Sequence, residues 1–572
     1  MKRSLLTFAA AAAVFSLVPL SLAKPGDDKG GPQQFTLVET TIAQIHRAFQ
    51  TQVISVEQLT QMYLLRIAAY DDAGPHINSY LYVNPNAWQQ ARQLDQIRGQ
   101  GPRSRYPLFG VGVLLKDNID TKDMPTTAGS VALAGSIPPD DAFITQRLRD
   151  AGAVILGKGT LTEFANFLAL GMPTGYSSLG DFGFNPYDPR PDPRTTPPFN
   201  DGRPVLQTGG SSSGPGTGVT ANLTTVAIGT ETSGSLLSPA SANGVVAIKP
   251  TVGLVSRDGI IPITADQDTA GPVTRTVTDA AITLGVIAGY DPRDPATAAC
   301  LTVGNCFNDY TQFLESNALN GARLAVFTPA NPLPANRQAL LDQAIADMQA
   351  QGATVRVLEA TDIPRQLNAC VSFPLPAFGT CSSVLLYGFQ RDLNIYLSMT
   401  PNAPNHTLAQ IVAFNAAYIP ALKYGQAIAI AASMVDVAAG SADTLRFQQD
   451  RALDLSLSRD PLNVIFNGPD GMKGTADDTD AILSVGNFFA AAPAKAGFPG
   501  VTVPGGFITA GPGDPPIANP FPQTITFTGP AFSEPRLIAL GYAYEQATHR
   551  RVPPASTPAL PSDTVVKNGR RK

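Results

Sequence analysis

The sequence predicts an α/β fold in which a parallel or mixed β-sheet is covered by α-helices. Apolar, β-branched runs of strand length alternate along the chain with segments of helical periodicity, and this alternation is typical of α/β proteins. The 572 residues contain no internal repeat, and a chain of this length can bury a large core around one wide sheet. We therefore expect a single large α/β domain.

The first elements of this domain are predicted to be helices. Residues 35–49 place their apolar side chains at helical spacing. Ser55 and Gln58 have the form of a capping box, which predicts a second helix that runs to Ile67. The sequence therefore predicts a helical layer at the N-terminal side of the domain.

The alternation of strands and helices begins after residue 108. Residues 109–115 form an apolar, β-branched run of strand length. Residues 145–151 have helical spacing, and residues 153–156 again have strand character. This succession is the one that indicates a sheet with crossover helices.

The N-terminus has the pattern of a secretory signal peptide. Lys2 and Arg3 precede an apolar run over residues 5–20 and a small-residue site, which predicts a signal peptide over residues 1–23. The run is shorter than the roughly 20 residues that span a bilayer, so we expect cleavage, export to the periplasm or the medium, and no membrane attachment afterwards. Prolyl and charged residues interrupt the apolar stretch at 411–439, so it is predicted to form buried helices.

The charge distribution argues against a nucleic-acid partner. The formal net charge is -5, the pI is near 5.5, and the lysines and arginines are scattered. A protein that neutralises phosphates needs a basic patch or stripe, and this sequence has none. The sequence leaves the oligomeric state open.

Four cysteines fit an oxidising compartment. Four cysteines allow three pairings, and the short separations favour Cys300 with Cys306 and Cys370 with Cys381 without deciding the connectivity. No Cys-x-x-Cys motif or nearby histidine suggests a zinc site or a redox role.

Three segments are predicted to be irregular. Residues 181–207 are rich in proline, which excludes helices and central strands. Residues 467–480 form a second loop, whose carboxylates could bind calcium or stay solvated, but the EF-hand spacing is absent. The tail at 551–572 is expected to be disordered because it is rich in Pro, Ser and basic residues. The acidic loop contains Asp470, Asp477, Asp478 and Asp480.

Three glycine-punctuated segments contain a lysine and two serines in a suggestive order. Lys116 ends an apolar run and is followed by Asp-Asn. Ser211 lies in Gly-Gly-Ser-Ser-Ser-Gly at 209–214, and Ser235 ends Gly-Thr-Glu-Thr-Ser-Gly-Ser at 229–235. Taken singly, the lysine is typical of a snorkelling surface residue and the glycine-serine run of a linker. What distinguishes them here is that they occur together, in a fixed order and with 24 residues from the first serine to the second.

In this order and spacing the three segments resemble the Ser-cisSer-Lys apparatus of the amidase signature family. Four more segments are similar to the family's sequences, and they lie at 248–262, 268–279, 496–504 and 533–546. The branch that the chain most resembles is the peptide amidases, which remove the C-terminal amide of peptides. A small amide or a peptide amide is thus the implied substrate, and the resemblance implies neither a metal nor a cofactor.

The resemblance also implies how the domain is organised. It covers residues 35–550, with insertions at 181–207 and 467–480. The implied fold is one large amidase-signature domain, in which a mixed central β-sheet is covered by α-helices on both faces.

The resemblance implies a separate role for each residue of the triad. Lys116 would be the base, Ser211 the relay held by a cis peptide bond with Gly210, and Ser235 the nucleophile. A base must have a neutral amine, and burial of the lysine would favour this form by disfavouring the ammonium. The backbone N–H groups of Thr232, Ser233, Gly234 and Ser235 correspond to the family's oxyanion hole.

The resemblance also implies supporting roles for two serines and shows where this chain departs from the family's pattern. Ser212 and Ser213 are expected to hydrogen-bond around the base and the relay. Glu231 replaces a common aspartate, and Leu237 replaces a common arginine. The loss of that arginine removes a positive charge near the site and leaves the choice of substrate open. In the same segments, Ser233 replaces a common glycine, and Pro215 interrupts the small-residue run.

Two other functions fit parts of the sequence. Residues 210–214 match Gly-x-Ser-x-Gly, the nucleophile elbow of α/β-hydrolase esterases, with Ser212 as the nucleophile. That elbow needs a strand before it and a later histidine, which only His406 or His549 could supply. The third possibility is a secreted binding protein that has the fold but is catalytically inactive.

Overall fold

The computed structural model describes residues 33–97, 106–327, 332–359, 372–375, 379–468, 470–475 and 477–567. The predicted signal peptide at 1–23 lies outside the described residues, and so does Cys370. Seventeen strands and sixteen α-helical segments lie within them. Eleven of the strands form one central sheet, as the sequence analysis expects of an α/β protein.

The strands are short except near the C-terminal end of the domain, where β15 and β16 run for nine and eight residues. In chain order they are β1 Gln33–Thr36, β2 Tyr80–Val83, β3 Gly112–Lys116, β4 Val154–Gly159, β5 Tyr176–Ser177, β6 Asp181–Phe182, β7 Val226–Glu231, β8 Val246–Lys249, β9 Thr269–Thr274, β10 Arg323–Phe327, β11 Thr354–Leu358, β12 Ser372–Leu375, β13 Gly379–Ser382, β14 Ala481–Val485, β15 Gly500–Ile508, β16 Phe521–Thr528 and β17 Thr564–Lys567.

The central sheet is mixed, which confirms the expected fold class. Its strand order is β11-β10-β14-β16-β15-β8-β9-β7-β3-β4-β2. Strands β7, β3 and β4 are parallel to one another, as are β11, β10 and β14. The strands between these two groups pair antiparallel. Parallel β7 and β3 end at the same edge of the sheet, and functional residues commonly lie at such an edge.

Helices cover both faces of the sheet because its strands are apolar on both sides. Val113 and Leu115 of β3 pack into one core cluster, whereas Leu114 between them packs into another. The α-helical segments are α1 Ile42–Gln50, α2 Val56–Arg66, α3 Ala87–Ile97, α4 Phe143–Asp150, α5 Glu163–Asn166, α6 Ser213–Thr220, α7 Leu237–Asn243, α8 Val277–Ile287, α9 Cys300–Val303, α10 Ala335–Ala350, α11 Ser383–Ser398, α12 Leu408–Ala417, α13 Ala427–Ser433, α14 Ala442–Phe466, α15 Ala491–Ala496 and α16 Glu534–Thr548.

The predicted N-terminal helices are present. The capping box of α2 is formed as expected: the Gln58 N–H donates to the Ser55 hydroxyl at 3.0 Å, and the Ser55 N–H donates to the Gln58 side chain at 2.9 Å. Residues 109–115 and 153–156 correspond to β3 and β4, and residues 145–151 to α4.

The expectation of a disordered tail at 551–572 is wrong for the residues that the structure describes there. Strand β17 pairs antiparallel with β1. The Arg551 guanidinium binds both carboxylate oxygens of Glu39 at 2.7 Å. Asp563 forms an ion pair with the fully buried Arg66. These long-range partners order the tail despite its composition.

The stretch at 411–439 forms helices, as predicted, but its burial is incomplete. Ile419, in the connection between α12 and α13, is 70% exposed, and Met434, after α13, is 77% exposed. Within the described part of the chain, no helix combines the length and apolarity that crossing a bilayer requires.

Two of the cysteines and two aspartates of the acidic loop have defined partners in the structure. Cys300 and Cys306 form a disulfide, as their separation favours. In the acidic loop, Asp478 accepts a hydrogen bond from the Gly474 N–H at 2.6 Å, and Asp480 accepts one from the Arg323 N–H at 2.7 Å. No group of three or more His, Cys, Asp or Glu residues is placed to hold a metal ion among the residues described.

Candidate active site

The three candidate segments meet at the edge of the sheet where β3 and β7 end. Lys116 is the last residue of β3, and Thr230 lies near the end of the parallel strand β7. Ser211 lies just before α6, and Ser235 lies in the turn between β7 and α7. Residues that are separated by more than 100 positions are therefore brought to one place by the pairing of the two strands.

The amine of Lys116 is surrounded by three oxygen atoms. Its Nζ lies 2.8 Å from the Ser211 hydroxyl, 2.8 Å from the Thr230 hydroxyl and 3.3 Å from the Thr230 carbonyl oxygen. The side chain is fully buried. The surface position that is typical of an isolated lysine is therefore excluded for this residue.

Burial lowers the pKa of Lys116 to about 7 from the 10.5 of a free lysine, because the low-dielectric interior disfavours the ammonium. The carboxylates of Asp268 and Glu231 oppose this effect and raise the pKa. A large fraction of Lys116 is thus neutral near pH 7, and a neutral amine has a lone pair that can accept a proton.

The peptide bond between Gly210 and Ser211 is cis, as the resemblance implies. Glycine is required before Ser211, since a Cβ at Gly210 would lie 2.6 Å from the Thr162 hydroxyl oxygen. The Ser211 carbonyl oxygen accepts hydrogen bonds from the N–H groups of Thr162 at 3.1 Å and Ser213 at 2.9 Å. These contacts hold the Ser211 backbone while its hydroxyl faces Lys116.

The short segment α5 has left-handed backbone angles and is thus a turn and not a right-handed helix, and it holds the Ser211 segment from the other side. Phe164, Ala165 and Asn166 have φ values of 46°, 54° and 69°, a region that residues other than glycine rarely adopt. Thr162, at the start of this turn, donates its N–H to the Ser211 carbonyl. Backbone strain of this kind persists where the surroundings enforce it, and it is concentrated at functional sites.

Ser212 and Ser213 support the site in different ways. The Ser212 hydroxyl donates to the Thr230 carbonyl oxygen at 3.0 Å and accepts from the Thr230 N–H at 3.2 Å, so it fixes the residue that surrounds the Lys116 amine. The Ser213 hydroxyl donates to the Thr160 carbonyl oxygen at 3.3 Å. The expected contact with the base is thus made indirectly by Ser212, and the Ser213 hydroxyl is directed elsewhere.

The structural requirements of a nucleophile elbow are not met at Ser212. The segment before it has no strand within the described residues, and its hydroxyl is occupied by the backbone of Thr230. In the described part of the chain, neither His406 nor His549 hydrogen-bonds to this serine. The esterase hypothesis therefore has no geometric support.

Ser235 lies beside four backbone donors. The N–H groups of Thr232, Ser233, Gly234 and Ser235 donate no hydrogen bond to any residue that the structure describes. Gly234 has φ of +80°, which permits the sharp turn that exposes these groups. Ser235 is 7% exposed, and its hydroxyl makes no hydrogen bond to that of Ser211 within the described chain.

Two buried carboxylates hold this turn, and the sequence analysis assigned a role to neither of them. Glu231 accepts the N–H groups of Leu236 at 2.7 Å and Leu237 at 3.2 Å. Asp268 accepts the Thr232 hydroxyl at 2.5 Å, and burial raises its pKa to about 7. Their positions were the sequence signal that could have identified them. Asp268 directly precedes β9 and Glu231 ends β7, and a carboxylate so close to a buried strand needs buried partners.

Comparisons with known proteins identify the family of the chain. A family model described as Amidase matches residues 58–418. A probable amidase of Arabidopsis thaliana is 36% identical over 91% of this chain and 92% of its own length. A glutamyl-tRNA(Gln) amidotransferase subunit of Microcystis aeruginosa is 32% identical over 90% of this chain and 99% of its own length.

A solved structure of a peptide amidase is also similar to this chain. The crystal structure of the native peptide amidase from Stenotrophomonas maltophilia is similar with a TM-score of 0.75 and 37% identity. The match covers 91% of this chain and 99% of that one. The likeness therefore extends over nearly the whole chain, and the family match at 58–418 contains all three candidate segments.

Proposed function

The chain belongs to the amidase signature family of hydrolases, and from that premise we propose that it hydrolyses the C-terminal amide of a peptide or a related small amide. The products are a carboxylate and ammonia or an amine. The observation that carries the proposal is the 2.8 Å contact between the buried amine of Lys116 and the hydroxyl of Ser211. This contact pairs a base of lowered pKa with the group from which it takes a proton.

Thr230 is proposed to direct the lone pair of Lys116. A neutral amine has two N–H bonds and one lone pair. If the two N–H bonds point to the hydroxyl and carbonyl oxygens of Thr230, the lone pair faces Ser211. In this arrangement the Ser211 hydroxyl donates to the amine, which is the direction that proton transfer needs.

The reaction then proceeds through an acyl-enzyme. Lys116 takes the proton of Ser211 while the Ser211 oxygen takes that of Ser235, and the Ser235 oxygen bonds to the amide carbon. The proton returns by the same route to the leaving nitrogen as the C–N bond breaks and ammonia departs. Water then attacks the ester on Ser235, with the same groups moving its proton, and releases the carboxylate.

The four free N–H groups at 232–235 are proposed to bind the oxygen that becomes negative. Fixed donors stabilise such an oxygen by several kcal/mol, and removing one costs about 3 kcal/mol. Their lack of partners among the described residues supports this role. Glu231 would keep the turn in place by its hydrogen bonds at the start of α7.

Peptide amides are the proposed substrates because the peptide amidase from Stenotrophomonas maltophilia is similar along nearly its whole length. The net charge of -5 and the absence of a basic stripe in the sequence disfavour work on tRNA, despite the likeness to part of an amidotransferase. Hydrolysis of C-terminally amidated peptides with release of ammonia, without release of the arylamine from aryl amides or of the alcohol from esters, would support this assignment.

Catalysis can be tested with a sulfonyl fluoride or organophosphorus probe. We expect one covalent adduct, located on Ser235 by peptide mass spectrometry, and loss of both adduct and turnover in Ser235→Ala. Lys116→Ala should nearly abolish turnover while the protein remains folded. A folded wild-type protein without an adduct would favour the inactive binding protein, and an adduct on Ser212 would favour the esterase.

Export is the remaining part of the proposal. Its support is the charged, apolar and small-residue pattern of residues 1–23. In an expressing bacterium, the mature protein should start at Lys24 and should leave the cytoplasm, and a chain that begins at Lys24 should stay inside. An intact N-terminus on cytoplasmic protein would contradict the proposal.

A further inference from the structure

A cavity of about 260 Å³ lies beside both serine segments. Its lining includes Gly209, two residues before Ser211, and Ser238, three residues after Ser235. Gly209 has φ of +66°, and a Cβ there would lie 2.6 Å from the Ser238 carbonyl oxygen, so the two segments are in close contact. The remaining lining comes from residues 205–207, from α7, from Arg337 at the start of α10, from the loop after β14 and from residues 514–523. The cavity therefore lies next to the segments that carry the two serines, although neither serine is part of its lining.

Asn487 lies between the cavity and the turn at residues 232–235, which contains the proposed oxyanion-hole donors. It lines the cavity, and its Nδ2 lies 3.2 Å from the position that a Cβ on Gly234 would occupy. The side chain is exposed, and within the described chain its amide makes no hydrogen bond. An unused amide supplies two donors and an acceptor, which is the set that a peptide group needs.

The next residue supplies apolar surface. The side chain of Phe488 is 53% exposed although it lines the cavity, and Ile517 and Phe521 line it as well. An exposed aromatic ring at the wall of a concave site is suited to packing against an apolar side chain of a ligand.

Among the described residues, the lining presents no unpaired charge. Its ionic side chains there are Arg337 and Asp514, whose charged groups lie 3.4 Å apart. Leu237, which stands where related enzymes have an arginine, is buried and supplies no cation. A carboxylate in the cavity would therefore lose water without gaining a free cationic partner, which is costly.

We propose that this cavity binds the acyl side of the substrate and selects an uncharged peptide-like amide with an apolar residue beside the scissile bond. Asn487 hydrogen-bonds to the substrate's peptide group, and Phe488 packs against its apolar side chain. Amides that carry a free carboxylate near the scissile bond are poor substrates. The inference rests on the proposed function, because it identifies the substrate class of the same site.

The selection can be measured with three amides and three variants. The substrates are N-acetyl-phenylalaninamide, N-acetyl-glycinamide and succinamate, and kcat/KM is obtained from ammonia release. Phe488→Ala should lower kcat/KM for the phenylalanine amide about tenfold and leave the glycine amide nearly unchanged, since a lost aromatic contact is worth about a factor of ten. Asn487→Ala should lower both. Tyr290→Ala is the matched control, because Tyr290 is 44% exposed and is not part of this lining.

A binding measurement separates this inference from the proposed chemistry. In the Ser235→Ala background, calorimetry should show that Phe488→Ala weakens N-acetyl-phenylalaninamide about tenfold, whether or not turnover occurs. If the wild type releases ammonia but Phe488→Ala and Asn487→Ala change neither binding nor selectivity, the cavity assignment is wrong and the proposed function stands. Hydrolysis of succinamate as fast as the phenylalanine amide would also overturn the assignment. If the cavity variants weaken binding but no amide is hydrolysed, only the proposed function fails.

Discussion

The rate of amide hydrolysis should fall as the pH is lowered through 7, because Lys116 then takes up the proton that stops it from acting as a base. Burial lowers the pKa of this lysine from 10.5 to about 7. The neutral fraction is then about a half at pH 7, about a tenth at pH 6 and about a hundredth at pH 5. The expected profile rises tenfold per pH unit below 7 and becomes level above pH 8.

The assay is kcat/KM for ammonia release from a peptide amide between pH 5 and 9. Circular dichroism at each pH must show that the protein remains folded. A rate that is constant from pH 5 to 8, or that is greatest when Lys116 is protonated, would refute its role as the base.

The fall of the rate at low pH, which is the acid limb of the profile, must also be assigned to Lys116 and not to Asp268. Burial raises the pKa of Asp268 to about 7 as well, so both groups titrate in the same range. Asp268→Asn removes a carboxylate that raises the pKa of Lys116, so the acid limb should persist and move to lower pH. If the limb disappears in this variant, Asp268 is the group that titrates and the assignment to Lys116 is wrong.

Three further predictions concern the residues that support the site and the tail. Glu231→Gln should lower kcat about fivefold with little change in KM, because charge-assisted bonds to the start of α7 become neutral ones; an unchanged kcat would exclude a positioning role. Lys116→Met should abolish turnover yet raise the free energy of unfolding at pH 6. The gain has an upper limit of about 5 kcal/mol, from 1.36 kcal/mol for each pKa unit between 10.5 and 7. This gain should shrink as the pH rises towards 10. Between about pH 7 and 10.5 the unfolded wild-type chain keeps the Lys116 proton that the folded chain has lost, and this difference disappears as the pH approaches 10.5. A chain ended at Arg550 should lose about 3 to 5 kcal/mol in urea unfolding, because it leaves Arg66 buried without Asp563; unchanged stability would mean that the tail's contacts are inconsequential.

The proposed triad could be predicted from the sequence because motifs mark its three residues. The order of the Lys116, Ser211 and Ser235 segments is a property of the chain itself, and the φ of +80° at Gly234 is a local demand that favours glycine. The capping box at Ser55 was predictable for a similar reason, since its partners are three residues apart. Signals of this kind act over a short range.

Other parts of the structure depend on partners that composition does not reveal. The tail was expected to be disordered, yet Arg551 binds Glu39, which lies 512 positions earlier in the chain. Asp268 meets Thr232 across 36 residues, and Thr230 meets Lys116 only because β7 pairs with β3. Such contacts follow from strand pairing and packing, so a single sequence does not identify which residues meet.

The surroundings of Lys116 also explain how a base can change its charge inside a closed core. An ammonium needs three acceptors, and three oxygen atoms from Ser211 and Thr230 lie within 3.3 Å of its Nζ. A neutral amine needs two acceptors and one donor, and the Ser211 hydroxyl can provide the donor by rotating about its C–O bond. The same three oxygens thus satisfy both protonation states without movement of the backbone. Burial makes the neutral form accessible near pH 7, and this polar cage would let Lys116, as the proposed base, take and return a proton within one catalytic cycle.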